Sequence, residues 1–259
     1  MGRNLHQYYY KDYFGEKPEE IQDPKDNQNR RRIHASLNWG DTKCKENPLI
    51  LKKRNTRLTE GGLLEVIQSP VDTKDSFQLE IIYPGLVTGI GINHEATIEG
   101  EFKLGVHFDW TYGMPVIYGS SVKGVLKSYF KEFYDKKEEW PSVEDAIDDI
   151  FNGGKKSIYL RDVFFDAVIV NADRKGRILC SDSITPHGDN PLKNPVPITF
   201  LKIASGCKLE FRFKLVDTMI VKDGRTLTLT AAQKLDIFKE ILTTVGIGAK
   251  TNVGYGQLK

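Results

Sequence analysis

With 37 Lys and Arg against 35 Asp and Glu, the 259-residue chain carries a net charge of +2, and 39% of its residues are hydrophobic. This composition is that of a folded globular protein. No run approaches the ~20 apolar residues that cross a bilayer, and the first residues, "MGRNLHQYYYKDYF", lack the apolar block of a secretory signal, so a cytoplasmic protein with no membrane partner is expected. Cys44, Cys180 and Cys207 are too far apart for a metal knuckle and odd in number for a disulfide framework.

Charge is unevenly placed. Residues 1–57 hold 13 Lys and Arg against 8 Asp and Glu, a net of +5, which leaves −3 for the remainder. Residues 1–75, with "KDNQNRRRIH" and "LKKRNTR" as basic clusters, show poor periodicity and read as a basic, partly ordered N-terminal arm; residues 76–259 read as the folded domain. From "SFQLEIIYPG" (76–85) the pattern alternates with the period of a strand, and "EFKLGVHFDW" (101–110) predicts another strand or a hairpin. Ser120 or Ser121 is expected to cap a helix over 120–137, whose Val122, Val125, Leu126, Tyr129, Phe130 and Phe133 recur at helical steps.

A shorter helix is expected in "SVEDAIDDIFNGG", capped by Ser142 and closed by Gly153. Strands follow at "SIYLRDVFFDAVIV", "PITFLKIA" and "CKLEFRFKLVD", and "KDGRTLTLT" carries an Asp-Gly hairpin turn. A last helix, "TAAQKLDIFKEILTTVG", leads into glycines. Strands and helices in this irregular order predict an α+β fold with helices on an antiparallel or mixed sheet.

The closing "GIGAKTNVGYG" has the residue types of a phosphate loop in the wrong context. A Walker loop needs GxxxxGK[ST] before the helix it opens, whereas these glycines follow one. Gly246 reads instead as a helix-terminating glycine in the left-handed region. Upstream, Gly119, Ser120 and Ser121 would put N–H donors and hydroxyls at a helix start, where the dipole favours an anion, with Lys123 one turn further in. An ordinary capped helix accounts for the same residues. His94 lies in a Gly-rich connection, His107 in a predicted strand and His187 beside Asp182 and Asp189 in "SDSITPHGD". Polar loop structure is the favoured reading, and an acid–base role for one of them stays open. No spacing of metal ligands or of a named catalytic set is present, and no cofactor is expected.

The order "TGIGINHEATIEG", "YGMPVIYGSSVKGVLKSYF", "VFFDAVIV", "SDSITPH", "PVPITFLKIASG" and "GIGAKTNVGYGQLK" resembles the RAMP superfamily of CRISPR RNA-binding proteins over about residues 79–259. Within it the segments are most similar to the sixth-subunit family of the type III-B (Cmr) effector complex. Tyr118 departs from the proline usual before the GSS, and Cys180-Ser181-Asp182 from the usual acidic approach to "ITPH". The resemblance implies a ferredoxin-like, RRM-related core with insertions that grips single-stranded guide RNA. It implies a subunit without catalytic residues that caps the guide 3′ end, with target RNA met only indirectly. Its protein partners would be the repeated RAMP backbone subunit, the small helical subunit and another RAMP subunit. The residues expected at the RNA are Gly119, Ser120, Ser121, Lys123, His94, His187, Gly248, Lys250, Thr251, Asn252 and Tyr255. The alternative is a RAMP endoribonuclease that processes guide RNA with His187 or His94 as general base; a nucleotide-dependent enzyme using the Lys250 loop is a third.

Overall fold

The computed structural model describes residues 4–15, 17–28, 30–38, 40–41, 43–62, 73–89, 100–102, 105–135, 137–154, 156–185 and 197–259. In chain order its strands are β1 (Glu19–Gln22), β2 (Arg32–Ala35), β3 (Asp75–Glu80), β4 (Val116–Ile117), β5 (Val163–Phe164), β6 (Ala167–Asn171), β7 (Leu179–Ile184), β8 (Ile198–Ile203), β9 (Lys208–Lys214), β10 (Thr218–Lys222) and β11 (Arg225–Leu229). Its helices are α1 (Leu5–Gln7, continued by a π turn over Tyr8–Asp12), α2 (Asn47–Leu58), α3 (Gly119–Phe133), α4 (Val143–Ile147, continued by a π turn over Asp148–Asn152) and α5 (Ala231–Val245). They group into two compact units. The first comprises Met1–Glu65, Val87–Pro115 and Ala172–Ala204, and the second Val66–Leu86, Val116–Asn171 and Ser205–Lys259.

In the first unit, the described part of the expected N-terminal arm holds α1, β1, β2 and α2. Arg54, 1% exposed, explains how a segment this polar is ordered: its guanidinium donates to the carbonyls of Tyr13, Gly15 and Lys17 at 2.7, 2.9 and 2.8 Å. These carbonyls belong to residues outside helix and strand, and a planar cation with five donors satisfies several at once. Glu19, itself buried, takes Arg57 in two parallel bonds of 2.6 and 2.9 Å, a bidentate geometry that a lysine could not reproduce. Tyr9 and Tyr13 are stacked, Tyr9 also meets Phe108, and Tyr13 meets Phe102. The β1–β2 and β7–β8 pairs are antiparallel hairpins. Over the described residues of 101–110 the expected strand is reduced to one bridge, Phe108 with Pro115. The chain turns there because the Asp109 carboxylate accepts the N–H groups of Thr111 and Tyr112, offering the backbone a partner that competes with a ladder.

The second unit is built on one antiparallel sheet in the order β3-β9-β6-β4, with β5 continuing the β6 side of β9. Residues 257–259 extend it beyond β3, where Ile81 bridges Leu258 and Glu80 exchanges backbone bonds with Lys259. Read along the chain, β3, α3, β6, β9, α5 and this last short strand form a βαββαβ pattern, the ferredoxin-like motif. One face of β9 presents Leu209, Phe211 and Phe213, all buried, because alternate residues point the same way. Phe213 meets Phe238 of α5, and Phe130 of α3 meets Phe151 and Phe238, so both helices lie on that face. The opposite face of β9 carries Lys208, Glu210, Arg212 and Lys214.

Helix ends follow local chemistry. Thr230 and Gln233 form a capping box at α5, Ser142 caps α4, and Gly153 takes up φ +82° after the π turn. The β10–β11 turn places Asp223 at φ 51° and Gly224 at φ 74°, the conformation that suits the twist of a tight hairpin. Gly246 ends α5 at φ 73° and ψ −170°, a positive φ outside the left-handed helical basin expected for it. Burial along α5 does not follow residue polarity alone, since Lys234 is wholly buried while Leu235 is only half-buried. The Lys234 ammonium is held by Asp162 at 2.6 Å and by the Val216 carbonyl at 2.6 Å. Burial pushes the Lys234 amine below its ordinary value and the Asp162 carboxyl above its own, each partly offset by the other's charge.

Candidate nucleic-acid interface

The start of α3 differs from expectation in how its donors are used. Its N-cap is Tyr118, with no side-chain cap bond, and Ser120 and Ser121 lie inside the first turn. The capping group comes from 47 residues away: the Asp166 carboxylate accepts the Gly119 N–H at 2.7 Å. Asp166 stands in the break between β5 and β6, where Phe165 still donates to the Arg212 carbonyl while the ladder is interrupted. A Cβ on Gly119 would stand 2.3 Å from the Phe164 carbonyl oxygen, so this glycine serves close packing against that break. Gly119 is buried, its N–H is already spent on a carboxylate, and an anion there would meet Asp166. Ser120 and Ser121 are exposed, leaving their hydroxyls as the polar groups at the helix start. The Lys123 ammonium lies 5.8 Å from the centre of the Phe164 ring, within reach of a cation–π attraction.

The closing loop is built differently. Gly246 and Gly256 form its neck: Ile247 donates to the Gly256 carbonyl at 2.9 Å and Gly256 donates to Gly85 at 2.8 Å. A Cβ on Gly256 would stand 1.8 Å from the Ile247 carbonyl oxygen, and one on Gly246 2.5 Å from that of Gly256. Between them, Gly248, Lys250 and Asn252 are exposed, and Ala249 and Thr251 are half-buried. Lys250 sits in the left-handed region at φ 61° and ψ 33°, ahead of a single 3-10 turn over Thr251–Val253. Its carbonyl accepts from Val253 and Tyr255, which offsets the cost of that conformation for a residue with a side chain. The loop thus holds its lysine outward by a fixed backbone. Tyr255, expected at the RNA, is 7% exposed and packs into the fold, so its ring is turned inward.

The sheet also sets how the two motifs lie. The neck of the closing loop is fixed to the outer side of β3, and α3 begins immediately after β4 at the other edge. Four strand spacings separate these edges, or about 19 Å at the usual ~4.8 Å each. The register offsets them further along the strands, since Lys208 faces Glu80 near the loop whereas Phe213 faces Phe164 near α3. Gly119–Lys123 and Gly248–Asn252 are therefore two separate stations on one unit, the first against β4 and β5 and the second beyond β3. His94 and His187 lie outside the described residues. His107 is half-buried, its imidazole pushed below the ordinary value by burial. Among the described residues no three His, Cys, Asp or Glu side chains are grouped to hold a metal ion, and no helix is long and apolar enough to cross a membrane. Sequence reasoning missed Asp166: its neighbours "FFDA" carry no capping signal, and only the strand break brings it to α3.

These features define an α+β protein whose ferredoxin-like sheet displays small-residue and lysine stations at opposite edges. The chain belongs to the RAMP superfamily, whose family model matches residues 78–259. It is 29% identical over 148 residues to the CRISPR system Cmr subunit Cmr6 of Pyrococcus furiosus, an alignment covering 52% of this chain and 39% of that protein. The chain thus spans about two fifths of the length of the curated relative it matches. Among solved structures it is similar to a chain in a type III-B Cmr-beta complex bound to cognate target RNA, with 21% identity, 71% of this chain and 57% of that chain covered, and a TM-score of 0.46. It is also similar to the crystal structure of Cmr6 from Pyrococcus furiosus, with 21% identity, 71% and 96% covered, and a TM-score of 0.35.

Proposed function

We propose that this chain is a non-catalytic, RNA-binding backbone subunit of a type III-B CRISPR effector complex, working in the cytoplasm and capping the assembly toward the guide 3′ end. The observation that carries the reading is a RAMP-family sheet with Lys250 held outward by an obligate-glycine neck at one edge and the Ser120, Ser121 and Lys123 station at the other. A ligand that engages both must be long, and an RNA backbone is long and uniformly charged. Contacts of this kind bind phosphates without reading bases, as a subunit that holds guides of many sequences requires. Guide RNA is the direct ligand and target RNA an indirect one. The repeated RAMP subunit, the small helical subunit and another RAMP subunit are the protein neighbours. The test is guide retention by the reconstituted complex through a salt titration. Lys123→Ala with Lys250→Ala is expected to lower the salt at which guide is released; release at an unchanged salt concentration removes both lysines from the interface. Metal-independent cleavage of repeat RNA by the purified chain, abolished by His187→Ala, would replace this reading with the endoribonuclease.

A further inference from the structure

The excess positive charge of residues 1–57 is outside the part of the chain matched by the family model, and neither station described above uses it. In the first unit it is gathered at a definite place. A groove of about 380 Å³ runs between the β1–β2 hairpin and α2, with Ile21 and Leu49 among its apolar lining and Arg32, Lys52 and Lys53 as its cations, against one acid, Glu20. The volume falls in the range of sites that accept small organic ligands, about 300–1,000 Å³.

The groove is held rather than improvised. Lys53 donates to the Glu20 carbonyl at 2.8 Å, joining the helix to the hairpin across it, and the buried Glu19 anchors the same strand to Arg57. The hairpin's connection is organised by Asp26, whose carboxylate oxygens accept the backbone N–H groups of Gln28, Arg30 and Arg31 at 3.0, 2.9 and 2.7 Å. Those bonds hold the Asp26 carboxyl below the usual range, keeping the turn ionised and intact. The consequence is that Arg30, Arg31 and Arg32, all exposed, are presented from a fixed backbone. Ordering costs for a ligand's partners are correspondingly lower.

We infer that this hairpin–helix groove is a second binding site for single-stranded RNA, in which Arg32 and Lys52, with Arg30 at the hairpin end, pair with successive phosphates. The inference rests on the RNA-binding reading proposed above but assigns a different surface. Charge complementarity selects the occupant. Lys53 is engaged by Glu19 at 3.8 Å and by the Glu20 carbonyl, which leaves Arg32 and Lys52 against Glu20, with Arg30 on the same hairpin. That balance suits a polyanion, and arginines on a fixed hairpin suit the bidentate geometry of phosphate oxygens. The half-buried Leu49 provides apolar surface for a sugar or a base edge.

The experiment is a salt titration of the full chain with a labelled oligouridylate, comparing the wild type with Arg30→Gln/Arg32→Gln/Lys52→Gln. Each phosphate contact on a single strand contributes about 0.7 to the slope of log affinity against log salt, so losing three is expected to flatten the slope by about 2. An unchanged slope overturns the inference. Photo-cross-linking of wild-type chain to thiouridine-containing RNA gives a readout that does not depend on the variant folding: adducts are expected within residues 19–35 or 47–58, and adducts found solely elsewhere overturn it. Polyglutamate that binds the groove while oligouridylate does not would assign an acidic protein segment instead. Lys123→Ala/Lys250→Ala, run in parallel, separates the two readings. A neutral groove variant beside a weakened loop variant sinks this inference alone, and the reverse pattern sinks the lysine stations alone.

Discussion

At the start of α3, a protein carboxylate already occupies the helix end at which the proposed RNA contact lies. Asp166 accepts the Gly119 N–H at 2.7 Å, so its charge stands beside the Ser120 and Ser121 hydroxyls. Asp166→Asn keeps a carbonyl oxygen for that bond and removes the charge. For a phosphate taking the two hydroxyls at a separation on the order of 6 Å from the carboxylate, two unit charges repel by roughly 0.7 kcal/mol in water and about 2.8 kcal/mol at an effective dielectric of 20. The serines are exposed, which places the site toward the water limit. With 1.4 kcal/mol to each factor of ten, Asp166→Asn is expected to tighten RNA binding by about three- to tenfold. Asp166→Ala removes the cap as well and is expected to cost about 1 kcal/mol of stability. Anisotropy titrations with single-stranded RNA at several salt concentrations, beside urea unfolding of the same proteins, measure both effects. If the asparagine variant binds no tighter than wild type, phosphate does not approach this helix start and the assignment of Ser120 and Ser121 fails.

Gly256→Ala is expected to collapse the closing loop, because its Cβ would stand 1.8 Å from the Ile247 carbonyl oxygen at a φ of +73°. Gly224→Ala at φ +74° meets nothing within 4 Å and should cost only about 1 kcal/mol; thermal melts of the two variants compare them directly. Lys234→Met strands Asp162 in the core and is expected to cost about 3–5 kcal/mol, part of which Asp162→Asn should restore in the double variant, as read from urea midpoints. Burial lowers the His107 pKa from its ordinary 6.5, so on acidification the unfolded chain takes up this proton first. Its contribution to stability is therefore full above about pH 6.5 and falls as pH drops through the window below. His107→Gln should flatten the decline of the urea midpoint between about pH 7 and pH 5, and an unaltered decline would assign it to other groups.

What the sequence made legible were features whose cause is local. The helices at 119–133 and 231–245 follow from apolar residues at steps of three and four, and the β10–β11 turn from one Asp-Gly pair. The α+β class followed from their order. Features set by distant partners could not be read. Ser120 and Ser121 look like caps, yet the acceptor is Asp166, delivered by a strand break. Tyr255 sits between exposed-looking glycines, yet its ring is buried. Lys234 interrupts an apolar stripe and would be assigned to solvent, but Asp162 and the Val216 carbonyl hold it inside. The polar sequence around Arg54 gives no periodic signal because its order comes from a guanidinium bridging carbonyls. Of the residues proposed to meet RNA, Ser120, Ser121, Gly248, Lys250 and Asn252 are exposed; the placement of their two groups is a property of the sheet.

The two compact units are interleaved in the chain. It passes between them five times, and each draws on three separate stretches of sequence. Neither unit can therefore be isolated by cutting the polypeptide once. During synthesis the first lacks its β7–β8 hairpin until residue 203 has emerged, and the second waits for Leu258 to meet Ile81, 177 positions earlier. Contacts of such separation slow folding, since loop closure is paid before burial offsets it. Single-cut truncations of this protein should consequently behave as unfolded chains, and domain-by-domain dissection calls for circular permutants that reunite the strands of one unit.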